Sequence, residues 1–410
     1  MAITKGPLCG IRILDMSQAH AGPFGTMLLG DLGAEIIKIE SPLGDILRYG
    51  EKEVNPINYY VLTLNRNKKG IVLDLGSEKG KKAFYDLVKK SDVVFSNFRA
   101  DVPKRQGSDF ETLKEINPNI IRCNISGYGP TGPYVKYPSF DIIACGHSGI
   151  LSLSGEPDRP PVIPGGIAMA DMMGGIFAVL SILAALISRD KDGKGVKAEV
   201  NLLDSLILMQ KVLFQNYFAS GNLPGLQGRR HHMMQTYGVH DTKDGYMTIG
   251  PGSEDKLVEL VGLDWMFKDP KFDNMMNRIL NAEEFREHFA NALKKKNTDE
   301  WVNIFRDEND IPSGPVLSYE QVANDPQVEH NNMIIEMEIK GQKYKTIGPV
   351  FKMENELEGD PEPAPDLGQH TKEVLMDILN YSDEQIQQVE AENEAGVERL
   401  MNRNLKRVKR

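Results

Sequence analysis

Short apolar runs alternate with helical spans through the first third of the chain. Ile11 to Met16, Glu35 to Ile39, Gly70 to Leu75, Asp92 to Ser96 and Asn119 to Asn124 each read as a strand. Gly22 to Leu32 predicts a helix, with Pro23 in the first turn, where its missing N–H costs nothing. Ser77 caps another that runs to about Lys90 and sets Phe84, Leu87 and Val88 on one face. Strands separated by helical spans of this length predict an α/β fold with a parallel sheet.

Further on the pattern changes. Gly127 to Pro133 is a turn-rich loop, and Phe140 to Leu151 predicts a helix. A Pro/Gly loop over 160–166 leads to Asp171 and an uncharged apolar run from Met172 to Ser188. Lys197 to Asn201 predicts a short strand and Leu203 to Ser220 a helix. Residues 221–236 are Gly-rich, basic and poor in periodic apolar positions, which marks a linker. A hairpin is expected around Lys243-Asp244-Gly245, followed by short charged helices. Asn297 and Glu300 have capping-box spacing. Alternation returns over Met333 to Ile339 and Tyr344 to Phe351. A helix from Thr371 to Leu379 and a charged tail follow, the basic stretch Leu405 to Arg410 reading as a frayed end.

Composition narrows the function. The 410 residues carry 58 acidic against 48 basic side chains, a net charge of −10. A sequence-blind nucleic-acid binder needs a basic surface, so no nucleic-acid partner is expected. Cys9, Cys123 and Cys145 are too few and too scattered for a disulfide framework or a metal knuckle. Met1 to Pro7 has no apolar signal core, so a reducing, cytoplasmic location is expected. The Met172–Ser188 run is shorter than the ~20 residues of a membrane span. It reads as a buried core helix, and no membrane contact is expected.

The candidate chemistry is sparse. There is no G-x-G-x-x-G after the first strand and no Walker A sequence, which leaves NAD and nucleoside triphosphates without a fingerprint. The eight histidines, His231 and His232 included, form no metal-binding pair, and no GxSxG elbow occurs. Asp171 stands out between a Pro/Gly loop and the apolar helix. At a helix start the dipole favours its ionised form by ~0.3–1 kcal/mol, and a desolvated carboxylate there can attack an activated acyl group. Before any resemblance is considered, the plainer reading is that it is only the helix's N-cap. Gly174 and Gly175 would admit a close backbone. A basic set, Arg66, Lys68, Lys69, Arg99, Lys104, Arg105 and Lys136, could hold a polyanion such as the ADP portion of coenzyme A, or be a solvated face.

Taken in order, the motifs resemble the type III CoA transferases, the family of formyl-CoA transferase, carnitine CoA-transferase and α-methylacyl-CoA racemase. They include Gly10 to Asp15, Ala21-Gly22-Pro23, Leu32 to Glu40, Asn65 to Asp74, Asn97-Phe98 with Arg105 and Gly107, and Ser126 to Pro133. Asp244-Gly245-Tyr246, Ile311 to Val316, Asp325-Pro326-Gln327 and Leu367 to Thr371 complete the set. The resemblance implies a Rossmann-like large domain from both ends of the chain (1–220 and 326–410), a linker at 221–236 and a small α+β domain at 237–325. It implies an interlocked homodimer.

By the same resemblance Asp171 is the catalytic aspartate, which passes through an acyl-aspartyl anhydride and an aspartyl-CoA thioester. CoA enters as part of the substrate, with an acyl-CoA and a carboxylic acid as partners and no tightly bound cofactor or metal. His20, Ala21, Leu73, Asn97, Phe98, Arg99, Arg105 and Lys136 match CoA-binding positions. Asp141 matches a second acid, which either orients the chemistry or caps a helix. Three departures bear on substrate. Ser41 replaces a basic residue, so one phosphate contact is lost. Phe140 replaces the racemase branch's histidine, and the stretch 221–237 lacks the formyl branch's glycine run, which favours a larger acid than formate or oxalate. The alternatives are a 2-methylacyl-CoA epimerase and a non-catalytic CoA-binding subunit of a two-chain transferase.

Overall fold

Six strands form one sheet: β1 (Arg12–Asp15), β2 (Glu35–Glu40), β3 (Lys68–Val72), β4 (Val93–Ser96), β5 (Ile121–Ser126) and β6 (Lys197–Asn201). Their order is β3-β2-β1-β4-β5-β6, and every neighbouring pair is parallel. The order reverses between β1 and β4, which opens a crevice beyond the strands' carboxyl ends. This computed structural model describes residues 3–49, 58–163, 165–226, 228–229, 234–354 and 356–408, with side chains to 402. Packing divides the chain into two units: Met1–Ile150, Gly166–Gln215 and Asn331–Arg410 in one, Leu151–Gly165 and Asn216–His330 in the other.

The helices that run with the sheet are α1 (Ala21–Asp31), α2 (Tyr59–Leu64), α3 (Glu78–Val88), α4 (Val102–Gln106), α5 (Phe110–Ile116), α6 (Asp141–His147), α7 (Met169–Asp192) and α8 (Leu202–Met209); α9 (Lys211–Ser220) follows and crosses from the first unit into the second. The strands, α1 and α3 lie where the periodicity puts them, with β3 shifted two residues toward the N-terminus. Helices α2, α4 and α5 are too short for a 3.6-residue period to show. The helix expected over 140–151 stops at His147, and that expected over 203–220 breaks at Gln210. The Gln210 amide turns back to Leu206 O and across to Ser148 O.

The second unit has its own core. β7 (Gly238–Asp241), β8 (Tyr246–Ile249) and β9 (Ser313–Pro315) make an antiparallel sheet. Around it stand α10 (Glu254–Leu260), α11 (Met275–Leu280), α12 (Ala282–Leu293), α13 (Thr298–Val302), α14 (Tyr319–Ala323) and α15 (Pro326–His330). Phe272, Phe285, Phe289, Trp301 and Phe305 fill its centre. The turn at Lys243-Asp244-Gly245 joins β7 to β8 as expected, and Asn297 with Glu300 forms a capping box on α13. His231 and His232 lie outside the described residues.

The chain then returns to the first unit through the hairpin β10 (Ile334–Ile339) and β11 (Gln342–Ile347), followed by α16 (Thr371–Asp377) and α17 (Asp383–Val408). The charged tail is therefore a 26-residue helix. Its buried Ile386 and Val389 join Leu73, Phe84, Leu87, Val88, Val374 and Leu375 in the core beside the sheet. These two apolar positions sit among Glu and Gln, which hid the periodicity.

Three cations of the basic set, open between a polyanion site and a solvated face, are engaged by carboxylates of the fold: Arg66 and Lys68 are buried, and Lys69 stays half-exposed. Lys68 Nζ donates to Asp15 Oδ2, Thr26 Oγ1, Pro23 O and Asn65 Oδ1. Arg66 grips Asp31 with two N–H groups, and Lys69 pairs with Glu35 and Glu373. Burial pushes Lys68 down to about 8. Burial alone would raise Asp15, but Lys68 and Lys38 outweigh it and bring it to about 2.

Helices α1 and α7 meet at glycines. A Cβ on Gly175 would stand 2.8 Å from both Ala21 O and Phe24 Cδ1, and one on Gly25 would stand 3.1 Å from Gly175 O. A Cβ on Gly174 would press on Leu202 at 2.7 Å. The buried face of α7 carries Gly174, Gly175, Ala178, Val179, Ile182, Ala185 and Leu186. Ile176, Leu180 and Ile187 on other faces are exposed. The helix is long and apolar enough to cross a membrane by length and composition, yet one face is packed against α1, so it is half of a core helix rather than a wholly buried one. Gly175→Ala forces a methyl group onto a backbone oxygen that cannot swing aside. It is expected to cost about 1–3 kcal/mol, read as a lower urea midpoint at unchanged m; a midpoint equal to the native chain's would contradict the contact.

Candidate active site

The glycine contact sets the first turns of α1 and α7 side by side. His20 immediately precedes α1, and Asp171 is the third residue of α7. His20 Nδ1 lies 3.9 Å from Asp171 Oδ2, and the Asp171 side chain is 19% exposed. Ala168, not Asp171, holds the N-cap position of α7, and it has no capping side chain. The cap comes from outside the helix. Asp141 Oδ1 accepts the N–H groups of Ala170 at 2.6 Å and of Asp171 at 3.2 Å. Its Oδ2 faces Cys145 Sγ at 3.7 Å. Asp141 thus caps the helix of Asp171 and places a second carboxylate beside it.

That arrangement reverses the expected electrostatics. The helix start would favour an ionised Asp171, but burial and the neighbouring Asp141 push it up to about 7. Burial also holds His20 below the usual histidine range, against the pull of Asp141. The imidazole is therefore neutral at neutral pH and forms no ion pair with Asp171. Among the described residues, no lysine or arginine pairs with Asp171.

The backbone leading to His20 is held at every residue. Ser17 N–H donates to Asp15 Oδ1, and Ser17 O accepts from Lys38 Nζ at 3.0 Å. Asn97 accepts the Gln18 N–H at 2.8 Å and donates to Gln18 O at 2.6 Å. Ala19, at the left-handed φ of 60°, donates to both oxygens of Asp45. Asp45 and Lys38 are buried and paired at 3.2 Å. The amide of Asn97, a residue matched to CoA contact, is thus taken up by the loop. Lys38 was the available sequence signal, because a lysine within the apolar Glu35–Ile39 strand needs a buried partner.

Beyond the strand ends lies a cleft of 430 Å³ whose lining includes Gln18, Ser41, Leu73, Phe98 and Arg105. Leu73 is buried in its floor, and Arg105 is exposed, paired with Asp101 at 2.9 Å. Arg99 and Lys136 are also exposed, and the Arg99 guanidinium donates to Lys136 O at 2.5 Å. Ala21 is buried, its carbonyl turned to Gly175. The expected site residues fall into two groups: His20, Asp141 and Asp171 at the helix starts, and Leu73, Phe98 and Arg105 along the cleft. The loop from Gln18 to His20 joins them. Arg399 of α17 also lines the cleft, and the sequence pattern did not signal it. No group of three or more His, Cys, Asp or Glu side chains that could hold a metal occurs among the described residues.

A carboxylate short of water and of cations is a stronger nucleophile than a solvated one. It is also a burden on the fold. Below 3.8 Asp171 is protonated both folded and unfolded, so it costs nothing; the loss of stability accumulates as pH rises from 3.8 through about 7. Asp171→Asn is neutral throughout. It is expected to be more stable than the native chain by about 2–4 kcal/mol at pH 8 and nearly equal at pH 3, by urea denaturation at both pH values. Equal stability at pH 8 would show the carboxylate to be well solvated.

The profile of CoA-transferase family III matches residues 8–371. A succinyl-CoA:glutarate CoA-transferase from Homo sapiens is 34% identical over 386 residues, covering 93% of this chain and 88% of its own. An acetyl-CoA:oxalate CoA-transferase from Acetobacter aceti is 35% identical over 335 residues, covering 81% of this chain and 86% of its own. The crystal structure of a CAIB/BAIF family protein from Brucella suis matches with a TM-score of 0.81 at 31% identity, over 92% of this chain and 100% of that one. The profile, the relatives and the fold coincide over nearly the whole length, and the chain belongs to CoA-transferase family III.

Proposed function

We propose that Asp171 carries the acyl group and then the CoA in a transfer from an acyl-CoA to a free carboxylic acid. Asp171 attacks the thioester carbonyl, and the C–S bond breaks to give an acyl-aspartyl anhydride and CoA thiolate. The thiolate attacks the aspartyl carbonyl and expels the donor acid, leaving an aspartyl-CoA thioester. The acceptor carboxylate attacks that thioester, and the released thiolate takes the acceptor's acyl group. Asp171 is free again and the thioester bond has been conserved.

The observation that carries this reading is the burial of Asp171 beside Asp141. Attack spreads the charge of Asp171 onto the substrate and relieves the repulsion, so the penalty in the resting site favours reaction. Burial also protects an anhydride from water. Leu73, Phe98 and Arg105 line the cleft that would take the CoA chain, with Arg99 and Lys136 exposed at the same end of the sheet. Asp141 serves as the outside cap and as the source of repulsion. The epimerase reading finds no second base at Phe140, whose side chain is exposed at the start of α6.

For the acceptor we propose a dicarboxylic acid. Relatives of similar identity carry glutarate and oxalate in their names, so chain length within that class is open to both the larger and the smaller acid. A homodimer is proposed as well. It is supported by apolar side chains exposed on α7, α8 and the start of α9: Leu180, Ile187, Leu208 and Val212.

Asp171→Ala is expected to lower transfer by at least ~10³-fold while circular dichroism stays native; retained turnover would remove the mechanism. Native kcat/KM should rise with pH through about 7 to a plateau, because only the ionised carboxylate of the free enzyme attacks. Asp141→Asn removes one of the two causes and should move that midpoint to lower pH. A midpoint that does not move would separate Asp141 from the ionisation of Asp171.

A further inference from the structure

The cleft at the sheet's carboxyl edge has a wall supplied by the far end of the chain. Arg399, on α17, lines it together with Arg105 and the neutral Ser41. Two glycines make room for this contact. A Cβ on Gly396, almost one turn earlier in α17, would collide with Asp74 Oδ2, and a Cβ on Gly76 would stand 2.8 Å from Arg399 Nη2. Asp74 Oδ2 accepts from Arg399 Nη2, and Asp74 Oδ1 accepts the Gly76 N–H at 2.9 Å. The carboxylate is buried, at 5% exposure, whereas the Arg399 side chain is 50% exposed.

One N–H of the guanidinium is therefore fixed by a buried anchor. Among the described residues its other donors have no protein partner. A planar fork held in one rotamer with donors to spare is suited to a phosphate. The carboxylates lining the cleft are already neutralised, Asp74 by Arg399 and Glu40 by two N–H groups of Arg48.

We infer that Arg399 binds a phosphate of the CoA nucleotide, sharing that anion with Arg105 across the cleft. This rests on the proposed function, which makes CoA the occupant. Calorimetric titration of the full chain with CoA and with pantetheine, which has no nucleotide, tests it. Arg399→Gln is expected to weaken CoA by about tenfold and leave pantetheine unchanged, with Arg399→Lys restoring most of the loss. Asp74→Asn keeps the guanidinium but weakens its anchor, and should weaken CoA by less than Arg399→Gln does, again with pantetheine unchanged. Equal CoA affinity in Arg399→Gln, or parallel loss of CoA and pantetheine, would each overturn the assignment. A native chain that binds CoA while Arg399→Gln binds it equally removes only this site; a native chain that binds no CoA removes the proposed function with it.

Discussion

Glycines where α1 crosses α7 let backbone rest on backbone, and that contact decides where the chemistry can be. With Gly175 against Ala21 O and Gly25 against Gly175 O, the two helix starts cannot stand apart. His20 and Asp171 are neighbours because each sits at its helix's first turn. The same closeness takes water from the carboxylate. Asp141 completes the arrangement from a third helix, satisfying the backbone N–H groups that Ala168 leaves uncapped.

Two electrostatic effects compete at Asp171, and their sizes settle the outcome. A helix start offers a carboxylate ~0.3–1 kcal/mol. The rise from 3.8 to about 7 corresponds to ~4 kcal/mol in the opposite sense. Desolvation and the charge of Asp141 therefore dominate. The site keeps a reactive group in an unfavourable state, which the fold tolerates because the surrounding loop is over-determined. Ala19 is held at a φ that L-residues avoid by Asp45, itself held by Lys38.

Much of this was legible in the sequence, for physical reasons that differ by element. Strands β1 to β5 showed because both faces are largely buried, and α3 showed because one face is. Asp171 and its glycines stood out as a charge at the head of an apolar run. The long helix α17 did not, since two buried apolar residues among many charges carry little periodicity. For Arg66 and Lys68 neither the polyanion reading nor the solvated face holds, because charge does not reveal burial; only the fold brings Asp31 and Asp15 to them. Asp141 was legible as an acid near the site, but its grip on α7 spans 29 residues and needs the tertiary structure.

The central claim is that one buried carboxylate takes an acyl group from sulfur. Incubating the enzyme with an acyl-CoA, quenching with hydroxylamine and digesting for mass spectrometry reads this directly. The peptide containing Asp171 should carry a hydroxamate that appears only with the thioester present. An unmodified Asp171 peptide from enzyme that is turning over would contradict it.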